Sequence, residues 1–393
     1  MLAAPARFSD LPDYAFPRLR KLLDSHAPGG APIAMSIGEP THAMPPFVGE
    51  VIAANLQDFA RYPVNEGTPE LLAAITAWIA RRYGVEVTPD RLLALNGTRE
   101  GLYNVAMALC PEEKDGQTPA VLIPNPFYQV YMVAALSVNA EPVFVPATQA
   151  TGHLPDYEAL PAEVLDRAAL AYVCSPANPQ GAVADRDYWT RLLRLAEKHD
   201  FLVLADECYS EVYRDEPPVG VLTVANELGI DPERVLAFHS LSKRSNLAGL
   251  RSGFVAGGPR AVARMRQLRN YAGAPLPLPL QRVAERAWAD EDHVEASRAL
   301  YQEKYRIADE VLGDVPGYVP PVAGFFLWLP VEDGEAAALK LWREAGVRVL
   351  PGAYLAKDAG DGNPGKGFIR VALVANSDEV RRGLGLIRDI LYR

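Results

Sequence analysis

Between roughly residues 68 and 260, short apolar runs rich in β-branched and aromatic side chains alternate with longer amphipathic stretches. The runs are VLI at 121–123, PVFV at 142–145, ALAYV at 169–173, FLVLA at 201–205, VLAFH at 235–239 and GFVAG at 253–257. Each is continuously apolar, so each needs cover on both faces, and with helices interleaved this is the pattern of a mostly parallel sheet. One helix follows from local chemistry alone. In TPELLAAITAWIARRYG, Thr68 stands as N-cap, Pro69 takes the first helical position, residues 71, 72, 75, 78 and 79 are apolar, and Gly84 is the terminator. DYWTRLLRLAEKH, between two of the runs, predicts another. From about 285 the order changes to a long helix, GFFLWL, a helix, VRVL, a Gly-rich loop, FIRVALV and a final helix. The chain therefore reads as α/β, with a large domain over 46–284 and a smaller α+β domain over 285–393 that the N-terminal segment 1–45 joins. PLPLP at 275–279 cannot continue a helix and is expected at the joint. A length of 393 residues suits two cores.

Composition narrows the class further. The chain is 49% hydrophobic and 22% charged, and no apolar run approaches the roughly 20 residues a membrane span needs. The opening MLAAPARFSDLPDY breaks its apolar residues with Pro, Arg and Asp and lacks the pattern of a secretory signal, so a cytoplasmic location without a membrane partner is expected. With 39 basic and 49 acidic residues the net charge is −10, which disfavours a nucleic-acid surface. Cys110, Cys174 and Cys208 are widely spaced in apolar surroundings and read as buried free thiols. The six histidines form neither HxH nor HExxH, so no metal site is expected.

In an open parallel sheet, ligands bind beyond the carboxyl ends of the strands. SPANPQG, carrying Asn178, follows ALAYV; DECY, carrying Asp206 and Tyr209, follows FLVLA; SLSK, carrying Ser240, Ser242 and Lys243, follows VLAFH. Three successive strand ends thus deliver an amide, a carboxylate and an amine to one rim. Gly97 and Thr98 stand directly before a helical run, where free N–H groups and the helix dipole suit a phosphate. Arg251 and the two serines supply further donors. Singly these motifs are commonplace turns and caps; their joint occurrence in order carries the inference.

With SIGEP (36–40), YPVNEGTPEL, NGT, NPFY, SPANPQG, DECY, SLSK, the arginine eight residues after its lysine, and FIRVAL (368–373), the chain resembles the fold-type-I pyridoxal-phosphate aminotransferases of classes I and II nearly end to end. The resemblance implies a seven-stranded, mostly parallel sheet between helices. It also implies a role for each motif residue. Lys243 forms a Schiff base with the cofactor aldehyde and then serves as base and acid for the substrate Cα proton. Asp206 pairs with the pyridinium nitrogen, Asn178 and Tyr209 with the ring 3′-oxygen, and Tyr128 stacks on the ring. Thr98, Arg99, Ser240, Ser242 and Arg251 hold the phosphate. Tyr62 reaches it from a neighbouring subunit, which implies a homodimer. Arg370 clamps the substrate α-carboxylate in a bidentate fork near the backbone of Gly38, with Asn178 beside it. The substrates are amino acids and 2-oxo acids.

Two motifs point elsewhere and fail on context. GDGNPGKG at 360–367 satisfies G-x-G-x-x-G, but Pro364 interrupts it and a strand follows where a helix is required, so a surface loop is expected. SLSK matches S-x-x-K, yet the S-D-N and K-T-G companions of penicillin-recognising enzymes are missing from the sequence. Within the family, SIGEPTHAMPP and SLSKRSNLAGLRSGF are similar to bacterial succinyldiaminopimelate aminotransferases, although Ala248 stands where that group often has proline. The implied reaction moves an amino group between N-succinyl-LL-2,6-diaminopimelate and 2-oxoglutarate in lysine biosynthesis. A distal acidic group on the donor calls for a second cation or a set of donors besides Arg370, and arginines such as Arg20, Arg61 and Arg99 are candidate sources among which the sequence does not choose. The alternatives are a broad aspartate or aromatic aminotransferase, a lyase on the same fold, and a cofactor-sensing regulator.

Overall fold

The computed structural model describes residues 5–9, 11, 13–360 and 362–393. Its strands are β1 (Ile33–Ala34), β2 (Leu92–Leu95), β3 (Ala120–Asn125), β4 (Glu141–Pro146), β5 (Ala168–Cys174), β6 (Leu202–Asp206), β7 (Val235–Ser240), β8 (Gly253–Gly257), β9 (Phe326–Pro330), β10 (Val347–Arg348), β11 (Leu350–Pro351) and β12 (Phe368–Ala372). Seven of them form one sheet in the order β2-β8-β7-β6-β5-β3-β4. Neighbours from β7 through β6, β5 and β3 to β4 are parallel, whereas β8 runs antiparallel to both β2 and β7. Six of the seven coincide with the apolar runs; β2, the LLAL segment, lies outside them.

Alternate residues of these strands enter separate apolar clusters. Leu122, Ala171, Val203 and Ala237 face one side, and Val121, Leu170, Leu204 and Leu236 face the other. Both faces are buried, as continuous apolar strands demand. Helix Pro69–Tyr83 forms as its caps predict: the Thr68 hydroxyl accepts from Leu71 N–H at 3.2 Å, and Gly84 closes it at φ +67°. Helix Arg186–His199 starts from the Asp185 carboxylate, which accepts from Tyr188 N–H at 2.7 Å.

The C-terminal part has an antiparallel sheet in the order β11-β12-β9, packed with helices Asp292–Leu312, Gly334–Ala345 and Ser377–Leu391 in a core of its own. The N-terminal segment joins it, since β1 pairs in parallel with β10 and Ile33 and Met35 enter that core. PLPLP does break the helix: helix Pro259–Ala272 ends before it, and Pro275 and Pro277 lie in the connection that leads to helix Leu278–Ala289. Pro279 lies in the first turn of helix Leu278–Ala289, where a missing N–H costs nothing, and Val283, Ala284, Ala287 and Trp288 of that helix belong to the core of the large sheet. We therefore propose that the large unit extends to Ala289. Among the described residues no helix is long and apolar enough to cross a membrane.

Candidate active site

Strand register builds the site. Cys174, Asp206 and Phe238 lie side by side on β5, β6 and β7, so the turns after these strands share one rim. Because β8 runs backwards, its first residue, Gly253, pairs with both Ser240 of β7 and Leu95 of β2. That reversal brings Arg251, just before β8, to the turn just after β2. Here Gly97 (φ +79°) precedes helix Thr98–Leu109, and a Cβ at position 97 would stand 2.2 Å from Arg251 Nη2. Only glycine leaves room for the guanidinium beside the helix N-terminus.

Above this rim is a cleft of about 340 Å³. Its wall carries Gly38, Thr98, Arg99, Tyr128, Asn178, Asp206, Tyr209, Ser240, Ser242, Lys243, Arg251 and Arg370, twelve of the thirteen residues singled out from the sequence. Tyr62 is the exception: it is 100% exposed and does not line the cleft. Of the three arginines considered for a distal acidic group, Arg99 alone lines it. Arg61 instead pairs with Asp58 on the surface. The cysteine expectation holds for Cys174, which is buried, whereas Cys110 and Cys208 are half-buried; Cys174 and Cys208 both line the cleft.

Asp206 is 6% exposed. Burial pushes its carboxyl above the ordinary range, while hydrogen bonds from Cys208 and Tyr131 pull the other way. Tyr131 donates to Oδ2 at 2.6 Å. The adjacent acid, Glu207, is spent elsewhere, accepting from Val221 N–H at 2.7 Å at the start of helix Val221–Glu227. Lys243 donates from Nζ to the Gly38 carbonyl and lies 5.4 Å from the centre of the Phe325 ring. Desolvation lowers its pKa to about 8. Arg370, 4% exposed, donates from Nη1 to Asn178 Oδ1 at 3.0 Å and from Nη2 to the Ser36 carbonyl at 2.7 Å, and stacks on Phe326 at 4.2 Å. Burial lowers its pKa to about 10, which leaves it cationic at neutral pH. The Ser242 N–H donates to Ser240 Oγ at 3.1 Å, and Arg99 Nε donates to Tyr128 Oη at 2.7 Å.

Tyr131, Cys208 and the N-terminal residues Tyr14 and Phe16, which also line the cleft or touch Asp206, were not anticipated. Tyr131 lies three residues beyond Tyr128, the N-cap of helix Gln129–Ser137, and its ring meets that of Tyr128 edge-on at 5.7 Å.

Known proteins agree with this geometry. A model of the family "Aminotransferase class I and II" matches residues 31–385. An LL-diaminopimelate aminotransferase of Dehalococcoides mccartyi is 31% identical, the match covering 98% of this chain and 97% of that one. A crystal structure of an aminotransferase from Neisseria meningitidis superposes with a TM-score of 0.94 at 38% identity, over 99% and 100% of the two chains. A probable N-succinyldiaminopimelate aminotransferase from Thermus thermophilus gives 0.85 at 29% identity, over 96% and 100%. A strand-end rim presenting an amine, a carboxylate and an arginine beside a helix N-terminus is the arrangement of a fold-type-I pyridoxal-phosphate enzyme. The chain belongs to the class I and II aminotransferase family.

The residues present fit that cofactor. Among the described residues Arg99, Lys243, Arg251 and Arg370 form no salt bridge, and neither does Asp206. Arg370 Nε is buried with no acceptor. Arg99 and Arg251 are exposed, whereas Asp206 and Arg370 are buried, and buried charges without partners are costly unless a ligand completes them. A ligand with a phosphate, a pyridinium and a carbonyl, followed by an amino acid carboxylate, has the complementary charges.

Proposed function

We propose that this aminotransferase takes a diaminopimelate as amino donor, in its N-succinylated form, and 2-oxoglutarate as acceptor. The observation that carries the reading is the convergence of four cations and one buried carboxylate, all without ionic partners among the described residues, on one cleft. Pyridoxal phosphate supplies the electron sink that lets the Cα–H bond of an amino acid ionise. The N-terminal turn of helix Thr98–Leu109, with Arg99, Ser240, Ser242 and Arg251, would hold its phosphate. Asp206, steadied by Tyr131, would keep the ring nitrogen protonated. Asn178 and Tyr209 would donate to the ring oxygen, and Tyr128 would lie against the ring. Arg370, fixed in its plane by Asn178 and Ser36, would take the substrate α-carboxylate close to Gly38. Lys243 would move the proton from the substrate Cα to the cofactor's C4′ carbon, a task for which an amine near neutrality is suited.

A second reading, free LL-diaminopimelate as donor, is favoured by the names of relatives at 31% identity. A coupled assay with 2-oxoglutarate and a donor panel decides. The succinylated compound should be turned over fastest; faster turnover of aspartate or phenylalanine would reject a diaminopimelate donor altogether.

The exposed Tyr62 supports a homodimer. It lies in an apolar stretch with Leu56, Phe59 and Val64, all more than 40% exposed. The Asn65 and Asn270 side chains are hydrogen-bonded, which sets Tyr271, 87% exposed, next to that stretch. Such a patch suits an isologous interface, across which Tyr62 would reach the partner's phosphate seat. Light scattering should return twice the chain mass; a fully active monomer would overturn the proposal.

A further inference from the structure

A side pocket of about 290 Å³ adjoins the cleft, and Phe127 and Gln129 line both. Its floor is held rigidly. Phe127 N–H donates to the Leu355 carbonyl at 2.8 Å, and the fully buried Asn125 side chain grips residue 357 twice, donating to its carbonyl at 2.9 Å and accepting from its N–H at 3.0 Å. These bonds tie the carboxyl end of β3 to the 355–357 loop and fix where the Lys357 backbone emerges. The pocket also carries Arg18 and Asp13. Arg18 is already engaged, stacked on Tyr354 at 3.9 Å and 3.8 Å from Glu335. The Asp13 carbonyl accepts from Gln129 at 3.2 Å, which ties the N-terminal segment to the pocket wall. Lys357 forms no salt bridge among the described residues.

We propose that this pocket is the subsite for a carboxylate at the end of an acyl arm on the donor, with Lys357 as its specificity-determining cation. The inference rests on the aminotransferase reading above and deepens it. Once Arg251 serves the phosphate and Arg370 the α-carboxylate, a second anionic end of the donor needs another fixed cation. The sign of that cation discriminates between donors. Free diaminopimelate ends in an ammonium beside its carboxylate, which Lys357 repels. Acylation replaces the ammonium by a neutral amide and adds a carboxylate, which Lys357 attracts. Leu11, 45% exposed at the pocket wall, offers apolar surface to the methylenes of the arm.

The test compares kcat/KM for N-succinyl-LL-diaminopimelate with that for glutamate in the holoenzyme and in Lys357→Gln and Lys357→Arg. The ratio should fall about tenfold in Lys357→Gln, mostly through KM, as expected for loss of one charge-assisted contact. It should stay within about twofold of the parent in Lys357→Arg, which keeps the charge. An unchanged ratio in Lys357→Gln, with the succinylated donor still used, overturns the subsite and leaves the proposed function standing. A parent enzyme that prefers the free donor also overturns the subsite. Turnover of glutamate with neither diaminopimelate compound accepted removes the substrate reading and the subsite together.

Discussion

Lys243→Ala should lower turnover by about ten-thousandfold or more, the combined worth of a covalent amine and a general base, and should abolish the visible absorbance that accompanies cofactor capture. The ε-amino group is enclosed by the Phe325 and Tyr209 rings, at 5.4 and 6.0 Å, and by the Gly38 carbonyl, so no second amine can substitute from the cleft wall. The same enclosure sets a pH dependence. Burial disfavours the ammonium and brings the pKa down to about 8. Below that pH the group carries its proton and is a poor nucleophile; above it the free amine predominates. The rate at which the apoprotein captures pyridoxal phosphate should therefore rise through about pH 8 and level off. A midpoint near the ordinary lysine value of about 10.4 would refute the burial argument, and an alanine variant that still turns over at parental rates would refute the assignment.

The second large effect is expected at Asp206. Asp206→Ala should retain cofactor, because the residues proposed to hold its phosphate are others, yet lose on the order of a thousandfold in kcat, the scale of removing one preorganised electrostatic partner. Tyr131→Phe deletes one hydrogen bond to that carboxylate and should cost far less, about tenfold at most. Parallel absorbance and rate measurements separate the two failure modes: loss of cofactor in Asp206→Ala would make the residue a binding element, and near-normal rates would contradict the electron-sink role.

Much of this was legible in the sequence because strand ends and helix starts have strong local signals. Thr68, Pro69 and Gly84 fixed one helix, and the apolar runs located six strands with the polar motifs that follow them. The misses have physical causes. Leu92–Leu95 is a four-residue strand of Leu and Ala, residues that favour helix and lack the β-branched signature, and it is read as a strand only because both of its faces are buried. PLPLP interrupts the helices as expected, but the first turn of a helix tolerates Pro279, so the next helix starts within the motif and packs on the large core. Tyr131 is buried among apolar neighbours and looks like core; its hydroxyl gains meaning from Asp206, 75 residues away, through tertiary packing alone. Tyr62 was visible as a motif, but its proposed role needs a second copy of the chain.

The backward course of β8 has an architectural consequence. The residues proposed to anchor the cofactor follow adjacent strands of one sheet, whereas the mouth of the cleft is furnished in part by residues 14–16 and 354–357, of which Ala15, Tyr354 and Leu355 pack in a separate small core. On the proposed roles, cofactor anchoring and donor choice would draw largely on different pieces of scaffold, joined where Asn125 and Phe127 bind residues 355–357. Grafting the mouth segments of one relative onto another should exchange donor preference while the coenzyme anchor is left undisturbed.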